Sequence, residues 1–409
     1  MLNDKNIFAL PIIKLQMFRK KWYVFLIVSF TSILGFSQDS LQVNNVPNSY
    51  PTIRFSYGHG RVLATNDFLR TANKNQSPIT QQRNISAEVI FQTTGKKDWY
   101  QLFGFPKLGL GFQQSWYPQT NELGSPIALY AIIESPIHKW KNAQLDWGFH
   151  FGVNMNWNPY NSETNPNNLI IGSKATFYAH FGIIYHQNIG ERFGLDASIG
   201  MTHASNGAVK MPNAGINIFD PRIAITYDLQ NEKPKVSPRK LTDFHSSNEL
   251  SLSYAIGTKQ LGVINADSTS KALFGDKNFT IYNFVLLYQR QVSRLSRVGV
   301  GIDFTVDPAD NANGIIYGDK NSTYPAPFNE QAKLALILSY ELCLDRLSLI
   351  LQPGFYFYRT THDPKPFFYQ RIGVRYQIYK GLYTGASLRA VNFGQADWIE
   401  FTIGYKLKF

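Results

Sequence analysis

His203 and Ser205 stand two residues apart in the run Leu195 to Asn206, which alternates strictly between two kinds of side chain. A strand sends residues i and i+2 to the same face. Leu195, Ala197, Ile199, Met201, His203 and Ser205 therefore share one side, and Asp196, Ser198, Gly200, Thr202 and Ala204 share the other. An imidazole beside a hydroxyl supplies the base and the nucleophile of covalent acyl transfer. Here the pair falls on the apolar face. In a water-soluble sheet that is an odd place for it, because the apolar face is buried. On a transmembrane barrel the same face meets lipid, where chemistry on a membrane lipid would have to happen.

The rest of the chain reads as the barrel such a strand needs. Arg19, Lys20 and Lys21 precede the apolar stretch Trp22 to Phe36, and Gly35-Phe36-Ser37-Gln38 offers small residues for cleavage, so residues 1–37 read as a secretory signal. The stretch is short for a helical span of about 20 residues, and no other long apolar run follows. Aromatic residues make up 15 % of the sequence and charged ones only 17 %, a balance suited to strands with one face in lipid and one in a polar lumen. Ile53, Phe55 and Tyr57 alternate with Arg54, Ser56 and Gly58; Leu250, Leu252, Tyr254 and Ile256 alternate with Ser251, Ser253 and Ala255. The chain closes on Ile399 to Phe409, apolar at every odd position, a terminal-Phe strand of the kind that ends outer-membrane barrels. A soluble β-sandwich would also alternate, but it leaves the terminal strand without a reason.

The expected fold is all-β, a transmembrane antiparallel barrel of the outer membrane with about 16 strand candidates. Eight fall near 51–59, 83–93, 106–117, 125–134, 144–156, 171–186, 192–205 and 217–229, and about eight more lie between 248 and 409. The expected segments are a signal at 1–37, a first half at 38–229 carrying the His/Ser hairpin, a polar linker at 230–247, and a second half at 248–409. Ile53-Arg54-Phe55-Ser56-Tyr57 parallels Leu250-Ser251-Leu252-Ser253-Tyr254, which suggests a duplicated eight-strand unit. One large barrel and two small ones both satisfy the pattern. The lone Cys343 reads as an ordinary strand residue. Removing 1–37, which holds five basic residues and one acid, lowers the net charge from +12 to +8. That excess suits an anionic partner such as lipopolysaccharide phosphates, or simply basic turns and a polar lumen. Other chemistry is not called for. His138, His150, His180 and His186 lack metal-ligand spacing, Gly104 to Gly111 is not a phosphate loop, and Tyr369 to Tyr379 alternates as a strand and not as a nucleic-acid patch.

The segment His203-Ala204-Ser205-Asn206-Gly207 to Pro212-Asn213-Ala214-Gly215-Ile216-Asn217 resembles the active-site segment of the outer-membrane lipid A 3-O-deacylases, the PagL-type (acyloxyacyl hydrolase) family. That family carries a His-x-Ser-Asn run, a Pro-Asn-x-Gly turn and an acidic third member, and the likeness covers the first half of the chain. It implies His203 as base, Ser205 as nucleophile, and Asn206 with backbone N–H groups near Gly207 as oxyanion donors. The third member falls on Asn217, an amide where the family has an acid, and Gly207-Ala208 stands where the family has Ala-Gly. In a serine protease, exchanging the triad acid for its amide costs roughly 10⁴ in turnover. Parity sends the nearby Asp220 to the lumen, so it does not replace Asn217. With a periplasmic N-terminus the seventh strand ends at the outer surface, residues 206–216 form an external loop, and Asn217 returns beside His203.

The expected activity is hydrolysis of an ester-linked acyl chain of lipid A or lipopolysaccharide, without metal, cofactor or nucleic acid, by an exported outer-membrane protein of open oligomeric state. The alternative is a non-catalytic barrel, a channel or binding protein, keeping a degenerate site. The second half has no second pair: Leu382 to Phe393 contains no His.

Overall fold

The computed structural model describes residues 50–231, 236 and 238–409. The expected signal at 1–37 lies outside the described residues. Seventeen strands form among the described residues, and they build two closed eight-strand antiparallel barrels. The sequence had left one barrel or two open.

The first barrel comprises β1 (Tyr50–Val62), β2 (Gln81–Gln92), β3 (Lys107–Trp116), β4 (Gly124–Lys139), β5 (Ala143–Trp157), β6 (Thr176–Ile189), β7 (Phe193–Ser205), β8 (Ile216–Phe219) and β9 (Arg222–Asp228). The expected strand near 171–186 starts later, at Thr176, and that near 217–229 is broken into β8 and β9 at Asp220-Pro221. Proline has no N–H to give a ladder; the Pro221 carbonyl instead accepts from the His59 N–H at 3.2 Å. Together β8 and β9 fill one wall position. They close the barrel on β1, with Thr52 opposite Asp228 and Arg61 opposite Phe219.

The second barrel comprises β10 (Asn248–Lys259), β11 (Phe279–Gln291), β12 (Ser296–Val306), β13 (Ala332–Leu344), β14 (Leu347–Tyr358), β15 (Phe368–Tyr379), β16 (Leu382–Val391) and β17 (Gln395–Lys408). The terminal-Phe segment forms β17, which closes on β10 with Leu250 opposite Leu407. Cys343 sits buried in β13.

Both walls are turned inside out relative to a soluble protein. On the outside of the first barrel Ile223 is 67 % exposed, while inside it Arg54 is 6 % exposed. Only lipid tolerates that exchange, since the apolar band then needs no water and the charges sit in a protein interior. Inside, the Arg54 guanidinium pairs with Glu88 at 3.0 Å, Glu134 at 2.6 Å and Asp196 at 2.7 Å. In the second lumen Arg371 and Arg389 both bridge Asp303 and Glu400. No helix among the described residues is long and apolar enough to cross a membrane.

At one end most connections are short, such as 190–192 and 380–381, and at the other they are long, such as 63–80 and 307–331. Short turns mark the periplasmic side of outer-membrane barrels, so β7 runs outward and ends at the loop side. There the first barrel is plugged by an apolar cluster that includes Phe68, Leu69, Tyr117, Trp157, Ile170 and Ile171.

Removing one partner of a buried ion pair costs about 3–5 kcal/mol, whereas an exposed pair contributes about 0–1 kcal/mol. Arg54→Ala strands three interior carboxylates and is expected to lower the unfolding free energy in lipid vesicles by about 3–5 kcal/mol. Arg70→Ala breaks the exposed Arg70–Asp67 pair and serves as the near-neutral comparison in the same urea titration.

Candidate active site

β7 and β8 carry the predicted residues, and their inward neighbours fix them. Ala204, Ile216 and Ile218 belong to the apolar plug, while at the alternate positions His203 is exposed and Ser205 and Asn217 are half-buried. His203 lies directly opposite Asn217 in the ladder, and its Nδ1 is 2.7 Å from the Asn217 Oδ1. An amide oxygen can only accept, so this contact puts a proton on Nδ1 and leaves Nε2 with its lone pair. That is the tautomer a general base requires.

Ser205, the last residue of β7, is half-buried opposite Phe177 of β6. Its Oγ accepts a long hydrogen bond from the Gly207 N–H at 3.4 Å. Among the described residues no hydrogen bond joins the His203 ring to the Ser205 hydroxyl. In unliganded sites such contacts are commonly loose and tighten only with substrate in place.

Gly215 is wedged beside the pair. Its φ is +71°, and a Cβ there would lie 3.1 Å from the His203 Cε1 and 3.2 Å from the Ser205 Cβ. Its N–H donates to the Ile170 carbonyl at 3.0 Å, which ties the start of β8 to the 158–175 loop.

Asn206 is hydrogen-bonded within its own loop and to the 158–175 loop. Its side-chain amide donates to Ser173 Oγ at 3.0 Å and to the Lys210 carbonyl at 2.7 Å, and its backbone N–H donates to Asn213 Oδ1 at 3.1 Å. The residue is 4 % exposed. With these donors engaged it shapes the loop, and the N–H that points at Ser205 belongs to Gly207. Asp220 is turned inward as parity requires: its carboxylate accepts from Arg222, Thr202 and Asn84. His180 and His186 also face the lumen, bonded to Thr202 at 2.9 Å and Asp196 at 2.5 Å. No group of His, Cys, Asp and Glu able to hold a metal ion occurs among the described residues.

Sequence reasoning missed one flank of the site. The 207–211 segment rests on Gln260, Ile399 and Leu388 of the second barrel or its loops. No local signal marks these residues, because their nearness depends on how the barrels meet.

A lipid A 3-O-deacylase (PagL) family model matches residues 74–226, and an acyloxyacyl hydrolase C-terminal domain model matches residues 248–409. The chain belongs to the lipid A 3-O-deacylase family. Membership brings the outer-membrane setting with it. The second match covers the whole second barrel. No curated protein matches the sequence. Among solved structures, an outer-membrane channel (COG4313) from Pseudomonas putida F1 is 10% identical, with 90% of this chain and 100% of that one covered and a TM-score of 0.20. A mutant porin of Rh. blastica is 8% identical, with 88% and 99% covered and a TM-score of 0.16. Superpositions that poor carry no weight for fold or function.

The wedge at Gly215 generates a test that needs no substrate. Gly215→Ala combines a left-handed backbone, costing about 1–2 kcal/mol, with a side chain pressed on His203. The Cε1–H resonance of His203 in the micelle-bound protein is expected to move, and the unfolding free energy to fall by about 1–2 kcal/mol. An unmoved resonance would show that the site does not depend on this glycine.

Proposed function

We propose that this protein removes an ester-linked acyl chain from lipid A in the outer leaflet, with Ser205 as nucleophile, His203 as base and Asn217 as the residue that orients His203. The observation that carries the reading is the 2.7 Å contact between His203 and Asn217, with Ser205 two residues on along the strand. In this mechanism Nε2 of His203 takes the Ser205 proton as Oγ attacks the ester carbonyl. The oxyanion that forms accepts from the Gly207 N–H, a donor already directed at Oγ. Collapse breaks the ester C–O bond, the imidazolium gives its proton to the departing sugar oxygen, which leaves as a hydroxyl, and water releases the acyl group from Ser205 by the reverse relay.

Asn217 can fix the tautomer but adds no negative charge to stabilise the imidazolium. The rate is then set below that of a site with a carboxylate at this position. The channel alternative is disfavoured by the interiors of both barrels, where Arg54 and its three carboxylates, and Arg371 and Arg389 with theirs, occupy the lumen. We also propose that residues 1–37 are a cleaved export signal, 38–229 the hydrolytic unit, 230–247 a linker and 248–409 the companion barrel.

Mass spectrometry of lipid A from expressing cells tests the reaction. Wild type should remove the mass of one hydroxyacyl chain and Ser205→Ala should not. Asn217→Asp should raise turnover, recovering part of the roughly 10⁴-fold that an amide costs at such a position. Unmodified lipid A with wild-type protein folded in the membrane would overturn the hydrolase reading. Intact-mass measurement of the membrane protein should give an N-terminus after Ser37; a chain retaining residues 1–37 would refute the cleaved signal.

A further inference from the structure

The loop that carries the oxyanion donor is seated on the second barrel by both polar and apolar contacts. The Gln260 backbone N–H donates to the Ala208 carbonyl at 3.1 Å, and the Gln260 Oε1 accepts from the Met211 N–H at 3.1 Å. The same side chain is itself oriented, because its Nε2 donates to Asn278 Oδ1 at 3.1 Å. That leaves Oε1 aimed at the site loop.

Ile399 supplies the apolar half. Ile399 is 5 % exposed, whereas Ile403, four residues further along β17, is 52 % exposed. The first barrel's loop packs against Ile399 at Gly207. A Cβ on Gly207 would lie 2.5 Å from the Ile399 Cδ1, with Leu388 Cδ1 at 3.4 Å. Gly207 and Ala208 both have positive φ, +63° and +67°. Gly207 takes that conformation freely, but at Ala208 it is costly for a free loop. Here the backbone is held from outside: at Ala208 and Met211 by hydrogen bonds, and at Gly207 by a side chain that leaves no room for more than a hydrogen.

We propose that the second barrel is a positioning element of the active site, acting through Gln260 and Ile399 to hold the Gly207 N–H on Ser205. Gln260 is thus a positioning residue. The proposal rests on the acyl-transfer reading of His203 and Ser205, and it gives the C-terminal barrel a role in the reaction beyond spanning the membrane. The contacts act on the geometry of the oxyanion donor and not on where the lipid sits. Loosening them should therefore lower kcat and leave KM almost unchanged.

The test uses the full-length protein in micelles with lipopolysaccharide as substrate, comparing wild type, Gln260→Ala, Gln260→Glu, Ile399→Ala and Ser205→Ala. Gln260→Ala is expected to lower kcat about tenfold or more at constant KM, as removal of an oxyanion donor does. Gln260→Glu keeps an acceptor for the Met211 N–H and should recover most of that loss. Ile399→Ala, which leaves every hydrogen bond in place, covers the case in which Gln260→Ala does not fold. Amide exchange at Met211 gives a second readout, free of substrate: it should speed up in Gln260→Ala and stay slow in Gln260→Glu.

If Ser205→Ala is inactive while Gln260→Ala and Ile399→Ala keep wild-type kcat, the positioning role is overturned and the hydrolase reading stands. If wild type itself is inactive, the hydrolase reading fails and overturns the positioning role with it. Unchanged exchange at Met211 in Gln260→Ala would overturn the clamp by itself, whatever the activity.

Discussion

A strand wall in lipid has no water to satisfy its backbone, so every N–H and C=O along it must find a partner in the sheet. Closure is the only solution for strands, and this chain closes twice, β1 on β8 and β9 and β10 on β17. Once the ladder is closed, each side chain has two destinations only. Apolar residues go out to lipid, and polar ones go into a narrow lumen where they must pair. The Arg54 and Arg371/Arg389 networks follow from that confinement, since an isolated interior charge would be far costlier than a paired one.

The proposed site follows from the same constraint. In the reading proposed above, outward parity would carry His203, Ser205 and Asn217 to the lipid side; the antiparallel register sets His203 opposite Asn217. The rigidity comes from the opposite face, where Ala204, Ile216 and Ile218 pack into the loop-end plug. A reactive pair on a lipid-facing wall would otherwise have little around it to hold it still. Gly215 and the 158–175 loop complete the fit from the side, where a larger residue would press against the imidazole.

The second barrel adds a partner that a single eight-strand enzyme would lack. Its wall is apolar and lipid-directed over most of its surface, yet Ile399 is covered where it meets Gly207. Gln260 bonds the same loop in two places. The two barrels thus share one loop, and the proposed oxyanion donor lies at that junction.

Much of this was legible in the sequence because alternation is a local property. Two residues per repeat decide the face, so the strands and the inward Asp220 could be read from spacing alone. Where a ladder closes is not local. The same alternating pattern serves one barrel or two, and only the pairing of β1 with β9 and of β10 with β17 decides between them. The broken eighth strand follows from Pro221 once its neighbours are known. Asn206 was read as an oxyanion donor because its type suits that role; the folded loop engages its amide with Ser173 and Lys210, and which partners an amide finds depends on residues far away in sequence. Gln260 and Ile399 carry no mark of their own for the same reason: the sequence determines which way each side chain points along a strand, and only the tertiary structure determines what it meets there.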